Sequence, residues 1–176
     1  MKLLFVIDLH DYQENYTVFK RPSARGIIFT EKNQLALVYS KKEQYYKFPG
    51  GGIRPNEDIK TALMREIKEE VGLIVIPDSI IEFGSVIRKQ KSDDSAETVF
   101  EQENTYFWCK TKNKQVEQEL DDYEKEADFI LRYVDIEEAI DTNQRYHSEN
   151  LFDEITIKRE MKVLQIIKAY RKDHRI

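Results

Sequence analysis

The sequence predicts an α/β fold in which a mixed β-sheet carries helices, with a short strand extension in front and a long helix behind. Short runs rich in β-branched and aromatic residues recur along the chain, and polar or glycine-rich turns separate them. A helical pattern follows the turn at 49–52, and a second one with an apolar face fills 152–171. With 176 residues and 40% hydrophobic content, the chain has enough material for one domain with a sizeable core.

The N-terminal segment is predicted to form two short strands, Leu3–His10 and Thr17–Lys20, joined by a polar stretch. The apolar run that opens the chain is too short for the core of a signal peptide or for a membrane span. We expect residues 1–20 to be an extension that forms a wall of the substrate site or an edge for a second copy of the chain.

The central segment, residues 21–145, contains the predicted strands and helices of the main domain. Residues 24–30 and 34–40 flank a polar turn, which favours a hairpin. Residues 90–98 are polar and are expected to form a mobile connection. The remaining strands are predicted at 45–48, 74–76, 80–89, 104–110 and 127–134.

The last third of the chain is predicted to be mainly helical. Asp135 is a typical N-cap residue and is expected to begin a short helix that ends near residue 140. Residues 146–176 contain the long helix, whose apolar face indicates packing on the same domain. An alternative is that part of this face is buried against a second subunit of a homodimer, through Phe152, Ile155 and Ile166.

Residues 51–73, which read GGIRPNEDIKTALMREIKEEVGL, contain the strongest functional signal. The glycines permit positive φ angles and close approach of a ligand, and a helix is expected to begin near Asn56 or Glu57. At about 100° per residue, Glu66 and Glu70 fall in or beside the apolar stripe of this helix. An ordinary amphipathic helix would keep carboxylates on its solvated face.

Glu66, Glu69 and Glu70 stand at positions i, i+3 and i+4, so their carboxylates converge on one side of the helix. Such a group of like charges needs a cation or a positive side chain to compensate it, and the spacing favours a divalent metal. Oxygen ligands suit a hard cation, so Mg²⁺ is the first choice and Mn²⁺ the second. Zinc is not favoured, because the chain has one cysteine, Cys109, and three histidines outside zinc spacing.

This stretch resembles the Nudix box, G-x5-E-x7-R-E-U-x-E-E-x-G-U, where U is an aliphatic residue. Every defined position is filled, by Gly51, Glu57, Arg65, Glu66, Ile67, Glu69, Glu70, Gly72 and Leu73. The resemblance implies an α/β/α sandwich and metal coordination by Glu66, Glu69 and Glu70. It further implies that Arg65 orients carboxylates and that Glu57 pairs with it. With Glu69 as a candidate base that accepts a proton from water, the implied catalytic residues are Glu57, Arg65 and Glu69.

Other charged residues are candidates for binding the substrate or for activating water. The candidate substrate-binding residues are Arg25, Lys47, Gly51, Gly52 and Arg88, and Arg54 is a further candidate phosphate contact. Solvation at the surface is the competing interpretation for each of the basic side chains. The base varies within the family that the box resembles, so four glutamates outside the box are alternative candidates: Glu101, Glu103, Glu124 and Glu126.

The composition limits the classes of partner. A net charge of −5 and a pI near 5.4 give no global attraction to nucleic acid or to an anionic membrane. A small nucleotide substrate is therefore expected, and long nucleic acids and membranes are not. The single cysteine excludes an internal disulfide, and Cys109 lies in a strand-like run where a buried, inert thiol is expected. These features are typical of a cytoplasmic protein.

The box resemblance implies a metal-dependent hydrolase that cleaves the diphosphate bond of a nucleoside diphosphate linked to another group, X. The alternative is a non-catalytic sensor of nucleotides or ADP-ribose on the same fold. The box indicates the bond that is cleaved but does not identify X.

Overall fold

The computed structural model describes residues 2–174, which form a mixed six-stranded sheet, two smaller sheets and four α-helices. The strands are β1 Leu3–Asp8, β2 Thr17–Lys20, β3 Ser23–Ile27, β4 Leu35–Ser40, β5 Tyr45–Lys47, β6 Gly50–Gly52, β7 Leu73–Val75, β8 Ile81–Lys91, β9 Thr98–Trp108, β10 Thr111–Gln115 and β11 Phe129–Val134. The helices are α1 Ile59–Val71, α2 Asp122–Glu126, α3 Ile136–Gln144 and α4 Leu151–His174.

The large sheet has the strand order β1-β8-β9-β3-β6, and β2 pairs with β9 beside β3. The β8–β9 and β3–β6 pairs are antiparallel, whereas the β1–β8, β2–β9 and β3–β9 pairs are parallel, so the sheet is mixed as expected. A three-stranded sheet has the order β11-β4-β5, and β7 pairs with β10. Strand β6 is the glycine turn itself, which lies at the edge of the large sheet and precedes α1.

Side-chain alternation along the strands divides the interior into two cores. On β4, Leu35 and Leu37 belong to the core that contains residues of α3 and α4. Ala36 and Val38, on the other face of the same strand, belong to the core that contains α1. Helices therefore cover both faces, and the expected α/β/α sandwich with a C-terminal helix is confirmed.

The expected hairpin between residues 24–30 and 34–40 is reduced to a single bridge between Phe29 and Leu35. Beyond that bridge the two strands separate, because β3 pairs with β6 and β9 while β4 pairs with β5 and β11. The turn signal in the sequence is local and does not determine which strand becomes the long-range partner.

The expected mobile connection at 90–98 is shorter in the structure. Strand β8 continues to Lys91 and β9 begins at Thr98, so only residues 92–97 connect them. The ladder hydrogen bonds satisfy the backbone whatever the polarity of the side chains, which is why polar residues extend this hairpin.

The helices differ from expectation in detail. Helix α1 begins at Ile59, because Asn56 has a φ of 62° and cannot belong to a right-handed helix. Asp135 is at the N-cap of α3, but its side chain makes no capping hydrogen bond. Helix α2 and strand β10 lie where no element is predicted, and β11 begins at Phe129, two residues later than expected.

Within residues 2–174, no helix combines the length and the apolar character that crossing a membrane requires. Cys109 is buried as expected, and burial raises the pKa of its thiol to about 12. The division of the chain into an N-terminal extension (1–20), a main domain (21–145) and a C-terminal segment (146–176) stays a prediction.

Candidate active site

The glycine turn brings the backbone of β6 against both β3 and α1. Gly50 has a φ of +136°, and a side chain there would overlap the carbonyl of Ala24, so this position requires glycine. A Cβ at Gly51 would overlap the carboxylate of Glu66. The turn therefore leaves room for the carboxylate of Glu66 directly behind the backbone, and a side chain at Gly51 would displace that carboxylate.

Helix α1 is anchored so that its glutamates face this turn. The carboxylate of Asp58 accepts hydrogen bonds from the backbone N–H groups of Lys60 and Thr61, both 3.1 Å long, and so caps the helix. On the core side, Leu63 and Ile67 are fully buried. This packing fixes the rotation of the helix and carries the box glutamates towards β6.

Arg65 lies at the centre of the site and binds three carboxylates. Its Nε and Nη2 donate to the two oxygens of Glu57, both at 2.7 Å, in a bidentate pair. Its Nη1 donates to Glu66 at 2.6 Å and to Glu69 at 3.0 Å, and Nη2 reaches the carbonyl of Gly52 at 3.2 Å. The orienting and pairing contacts expected of Arg65 and Glu57 are present in this geometry.

These contacts set the electrostatics of the cluster. The hydrogen bonds from Arg65 are the largest influence on Glu57 and hold its pKa at about 2. The same bonds raise the pKa of Arg65 above its usual value. Burial raises the pKa of Glu66, and the nearby charges of Glu69 and Glu70 raise it further despite the opposing effect of Arg65.

Glu70 has hydrogen-bond partners that differ from those of the other box glutamates. Its side chain is 2% exposed; Oε1 accepts from Lys47 Nζ at 2.7 Å, and Oε2 accepts from the N–H of Gly50 at 2.7 Å. Burial opposes the charge on Lys47, but the carboxylate of Glu70 outweighs it and raises the pKa of the lysine. Lys47 is therefore a buried partner of Glu70 in this structure, and the prediction that it binds substrate stays untested.

Glu124 is the base candidate that the fold brings to this cluster. It lies on α2, where it forms a reciprocal capping box with Asp121, and it is 7% exposed. Burial and then the adjacent carboxylate of Glu70 raise its pKa to about 7. The Asp121-x-x-Glu124 spacing is a helix-start signal in the sequence, so this element was recognisable, although its contact with Glu70 was not.

The other three base candidates lie in different surroundings. Glu101 pairs with Lys20 and Lys89 on the sheet. Glu126 pairs with Lys42 at the surface. Glu103 lies on β9 opposite Ile87 and is half-buried.

The remaining basic candidates are dispersed. Arg25 donates to the carbonyls of Phe48 and Gly50 and so stabilises the backbone of the glycine turn. Arg54 is 63% exposed and lies 3.6 Å from Glu69, which keeps it beside the cluster. Arg88 is fully buried under α4, where it donates to Gln90 at 2.7 Å. Burial, and then the charge of Arg159, lower the pKa of Arg88 to about 10.

The donors at this site fit a hard divalent cation by their chemistry. Glu66, Glu69 and Glu70 supply only oxygen, and the repulsion from Glu70 and Glu69 that adds to burial in raising the pKa of Glu66 is the kind that a cation relieves. Within residues 2–174, no three acidic, cysteine or histidine side chains are grouped as a preformed metal site. Arg65 and Lys47 neutralise these carboxylates in this structure.

Comparison with protein families gives one match that covers most of the chain. The model of the NUDIX domain matches residues 19–155. Among solved structures, the NUDIX hydrolase from Nitrosomonas europaea has a TM-score of 0.52 at 17% identity, over 80% of this chain and 89% of that one. The solution structure of the E. coli ORF135 protein has a TM-score of 0.55 at 16% identity, over 88% and 94%. At these identities the likeness concerns the fold.

Curated relatives match over a shorter segment. The RNA pyrophosphohydrolase of Marinomonas sp. (strain MWYL1) is 42% identical over 53 residues, which is 30% of this chain and 33% of the relative. The 8-oxo-dGTP diphosphatase of Buchnera aphidicola subsp. Schizaphis graminum (strain Sg) is 38% identical over 55 residues, which is 29% of this chain and 42% of the relative. The matched segment thus spans less than half the length of either relative.

Proposed function

Because the chain belongs to the Nudix family, we propose that it is a metal-dependent hydrolase that cleaves the diphosphate bond of a nucleoside diphosphate linked to another group, X. One observation carries this proposal: the complete box places Arg65 between Glu57, Glu66 and Glu69, against a turn in which Gly51 leaves room for a carboxylate. Burial and mutual repulsion of grouped carboxylates cost free energy, so a helix that served only the fold would not need three of them on one side.

Glu66, Glu69 and Glu70 are the residues that would hold Mg²⁺, or Mn²⁺ as the second choice. When bound, such an ion supplies neutralisation of diphosphate oxygens and a lower pKa for water. Nudix hydrolases as a family are generally dependent on divalent metals, and the oxygen donors here suit that chemistry.

The side chains of this chain would carry the remaining steps. Arg65 holds Glu66 and Glu69 in fixed orientations, and the glycine turn admits the diphosphate close to the backbone. Glu69 is the proposed base, because at 27% exposure it is the most accessible of the box glutamates. Water would form the new bond to phosphorus and give its proton to Glu69, while the bridging oxygen leaves with the departing phosphate. Glu124 is the alternative base, because its carboxyl adjoins that of Glu70.

The relatives suggest where to begin with X. One is named an RNA pyrophosphohydrolase and another an 8-oxo-dGTP diphosphatase. An initial panel therefore contains 8-oxo-dGTP, dGTP and a short RNA with a 5′ triphosphate, together with ADP-ribose, a nucleotide sugar and a dinucleoside polyphosphate. A cytoplasmic location, a homodimer and a preference for small nucleotides stay predictions.

The test is release of phosphate, pyrophosphate or nucleoside monophosphate from this panel with Mg²⁺, with Mn²⁺ and with EDTA. The proposal expects metal-dependent cleavage of at least one compound and its loss in EDTA. Cleavage that continues unchanged in EDTA, or no cleavage of any compound, contradicts it.

A nucleotide or ADP-ribose sensor is the second candidate, and one observation favours it. Both oxygens of Glu70 are already occupied, by Lys47 and by the N–H of Gly50, so one expected metal ligand has competing partners. Binding of a panel compound without cleavage under any metal condition would select the sensor.

A further inference from the structure

The strand that leads into the glycine turn has one edge that is completed by side chains. Strand β5 pairs with β4 and lies at the edge of its three-stranded sheet. In an antiparallel edge strand, the backbone groups of alternate residues point away from the partner and need other partners. In this region those outward groups belong to Tyr46 and Phe48, on either side of Lys47.

Asn143 on α3 takes the place of a neighbouring strand at Tyr46. Its Oδ1 accepts from the N–H of Tyr46 and its Nδ2 donates to the carbonyl of Tyr46, both at 2.8 Å. A strand would offer the same pair of groups, so the amide reproduces one rung of a ladder. Asn143 is 4% exposed, which makes these bonds costly to lose.

Glu160 on α4 supplies the next contact, at Phe48. Its Oε2 accepts from the N–H of Phe48 at 2.7 Å. Its other oxygen accepts from the hydroxyl of Tyr106 at 2.9 Å and from Arg159 at 2.8 and 3.0 Å, so the carboxylate is held rigidly. Glu160 is fully buried and lies beyond residues 19–155, the part of the chain that the family model matches.

Residues 46–48, which Asn143 and Glu160 hold, lie next to the two groups that donate to Glu70. Lys47, between the two held residues, donates to Oε1 of Glu70, and Gly50, two residues after Phe48, donates to Oε2. The position of β5 along its edge therefore sets the position of both donors on Glu70. A shift of this strand would move the ammonium and the amide together.

We propose that Asn143 and Glu160 are positioning residues of the active site, which fix the carboxylate of Glu70 by holding the outer edge of β5. These two side chains, with their hydrogen bonds to Tyr46 and Phe48, are called the clamp. The competing interpretation is that they stabilise the fold without affecting the site. Asn143 and Glu160 make their hydrogen bonds to Tyr46 and Phe48 and not to Glu70, so the direct route from either residue to Glu70 or Gly50 runs along the backbone of residues 46–50.

Exchange of the Gly50 amide hydrogen, measured by NMR, separates these interpretations without use of any activity. The variant is Asn143→Ala, and the control is Ile167→Ala, a fully buried α4 position two helical turns, about 10 Å, beyond Glu160. Rates are compared in urea concentrations at which both variants have the same free energy of unfolding. We expect Gly50 to exchange about tenfold faster or more in Asn143→Ala than in the control. Equal exchange at Gly50 in the two proteins overturns the proposal.

Two double variants test Glu160 while removing the buried charge of its neighbour in both, because one lone buried charge would strongly destabilise the fold. Arg159→Met with Glu160→Gln keeps an oxygen for the N–H of Phe48, whereas Arg159→Met with Glu160→Leu removes it. We expect slow, wild-type exchange at Gly50 in the first and fast exchange in the second. The same rate in both contradicts a role for Glu160. The exchange rate in Asn143→Ala then shows whether Asn143 alone positions the site.

A kinetic measurement extends the test and rests on the proposed hydrolase function. At equal folded fraction, Asn143→Ala should lower kcat roughly ten- to a hundredfold with KM changed less than about threefold, since misplaced catalytic groups act on the chemical step. If the wild-type protein cleaves nothing, the hydrolase proposal fails and the exchange measurement still decides the clamp. If it cleaves and Asn143→Ala matches Ile167→Ala in kcat, the clamp does not position the site.

Discussion

Replacing Arg65 with lysine keeps the positive charge but removes the planar guanidinium group that holds the carboxylates of the site. Arg65 makes five hydrogen bonds, to Glu57, Glu66, Glu69 and the carbonyl of Gly52, and its side chain is 16% exposed. A lysine ammonium has three donors in tetrahedral geometry, so at least two of these bonds are lost. Hydrogen bonds to charged groups contribute about 1.5–3 kcal/mol each, and partial rehydration offsets some of this loss.

Arg65→Lys should therefore lower the free energy of unfolding by about 2–4 kcal/mol. It should also lower kcat by roughly a hundredfold, because Glu66 and Glu69 lose their shared donor. Urea denaturation and steady-state turnover measure the two effects. The matched control is Arg54→Lys at an exposed position, where about 0.5 kcal/mol or less is expected. If Arg65→Lys lowered the free energy of unfolding no more than Arg54→Lys, or left kcat at the wild-type value, the reasoning about the planar guanidinium group would be wrong.

Three further predictions follow from single contacts. Gly51→Ala should lower kcat at least about tenfold with little change in substrate KM, because the added methyl displaces the carboxylate of Glu66; kinetics on the folded variant measure this. Lys47→Met should destabilise the fold by about 3–5 kcal/mol in urea denaturation, since it leaves the charge of Glu70 buried without its partner, whereas Lys42→Met at the surface should be nearly neutral. Glu57 has a lowered pKa, so its contribution is complete above about pH 4.5 and is lost as the pH falls towards 2; the stability difference between wild type and Glu57→Gln should shrink over that range, and a difference that grew would contradict the assignment.

The box part of the site could be predicted from the sequence because it is local. The spacing of Glu57 and Arg65 and the glycine at Gly51 fix contacts within one turn and one helix, and the structure has those contacts. The α/β/α layers could also be predicted, because strand and helix periodicities depend on near neighbours.

The rest of the site depends on long-range packing that periodicity does not encode. Lys47 reads as an alternating strand residue, and only the docking of β5 against α1 places it on Glu70. Asn143 and Glu160 read as ordinary polar residues on C-terminal helices, and their role at β5 follows from sheet order. Glu124 could be assigned to a helix start, but which glutamate it would meet could not.

The buried pair of Glu70 and Lys47 also determines which substitution tests catalysis cleanly. A change at Glu70 would combine loss of a proposed metal ligand with a buried unpaired lysine, so a lower rate would have two explanations. Glu69 is more accessible and its partners are Arg65 and Arg54, which keep other contacts or solvent when it is neutralised.

The most direct measurement of the central claim is therefore turnover of Glu69→Gln in Mg²⁺, beside Glu119→Gln, an exposed glutamate paired with Lys68. The compound is the panel member that wild-type protein cleaves best, and both variants are first shown to be folded. The hydrolase account predicts a loss of roughly 10²- to 10⁴-fold for Glu69→Gln and wild-type turnover for Glu119→Gln. Near-normal, metal-dependent turnover in Glu69→Gln would contradict the assignment of this glutamate to the chemistry.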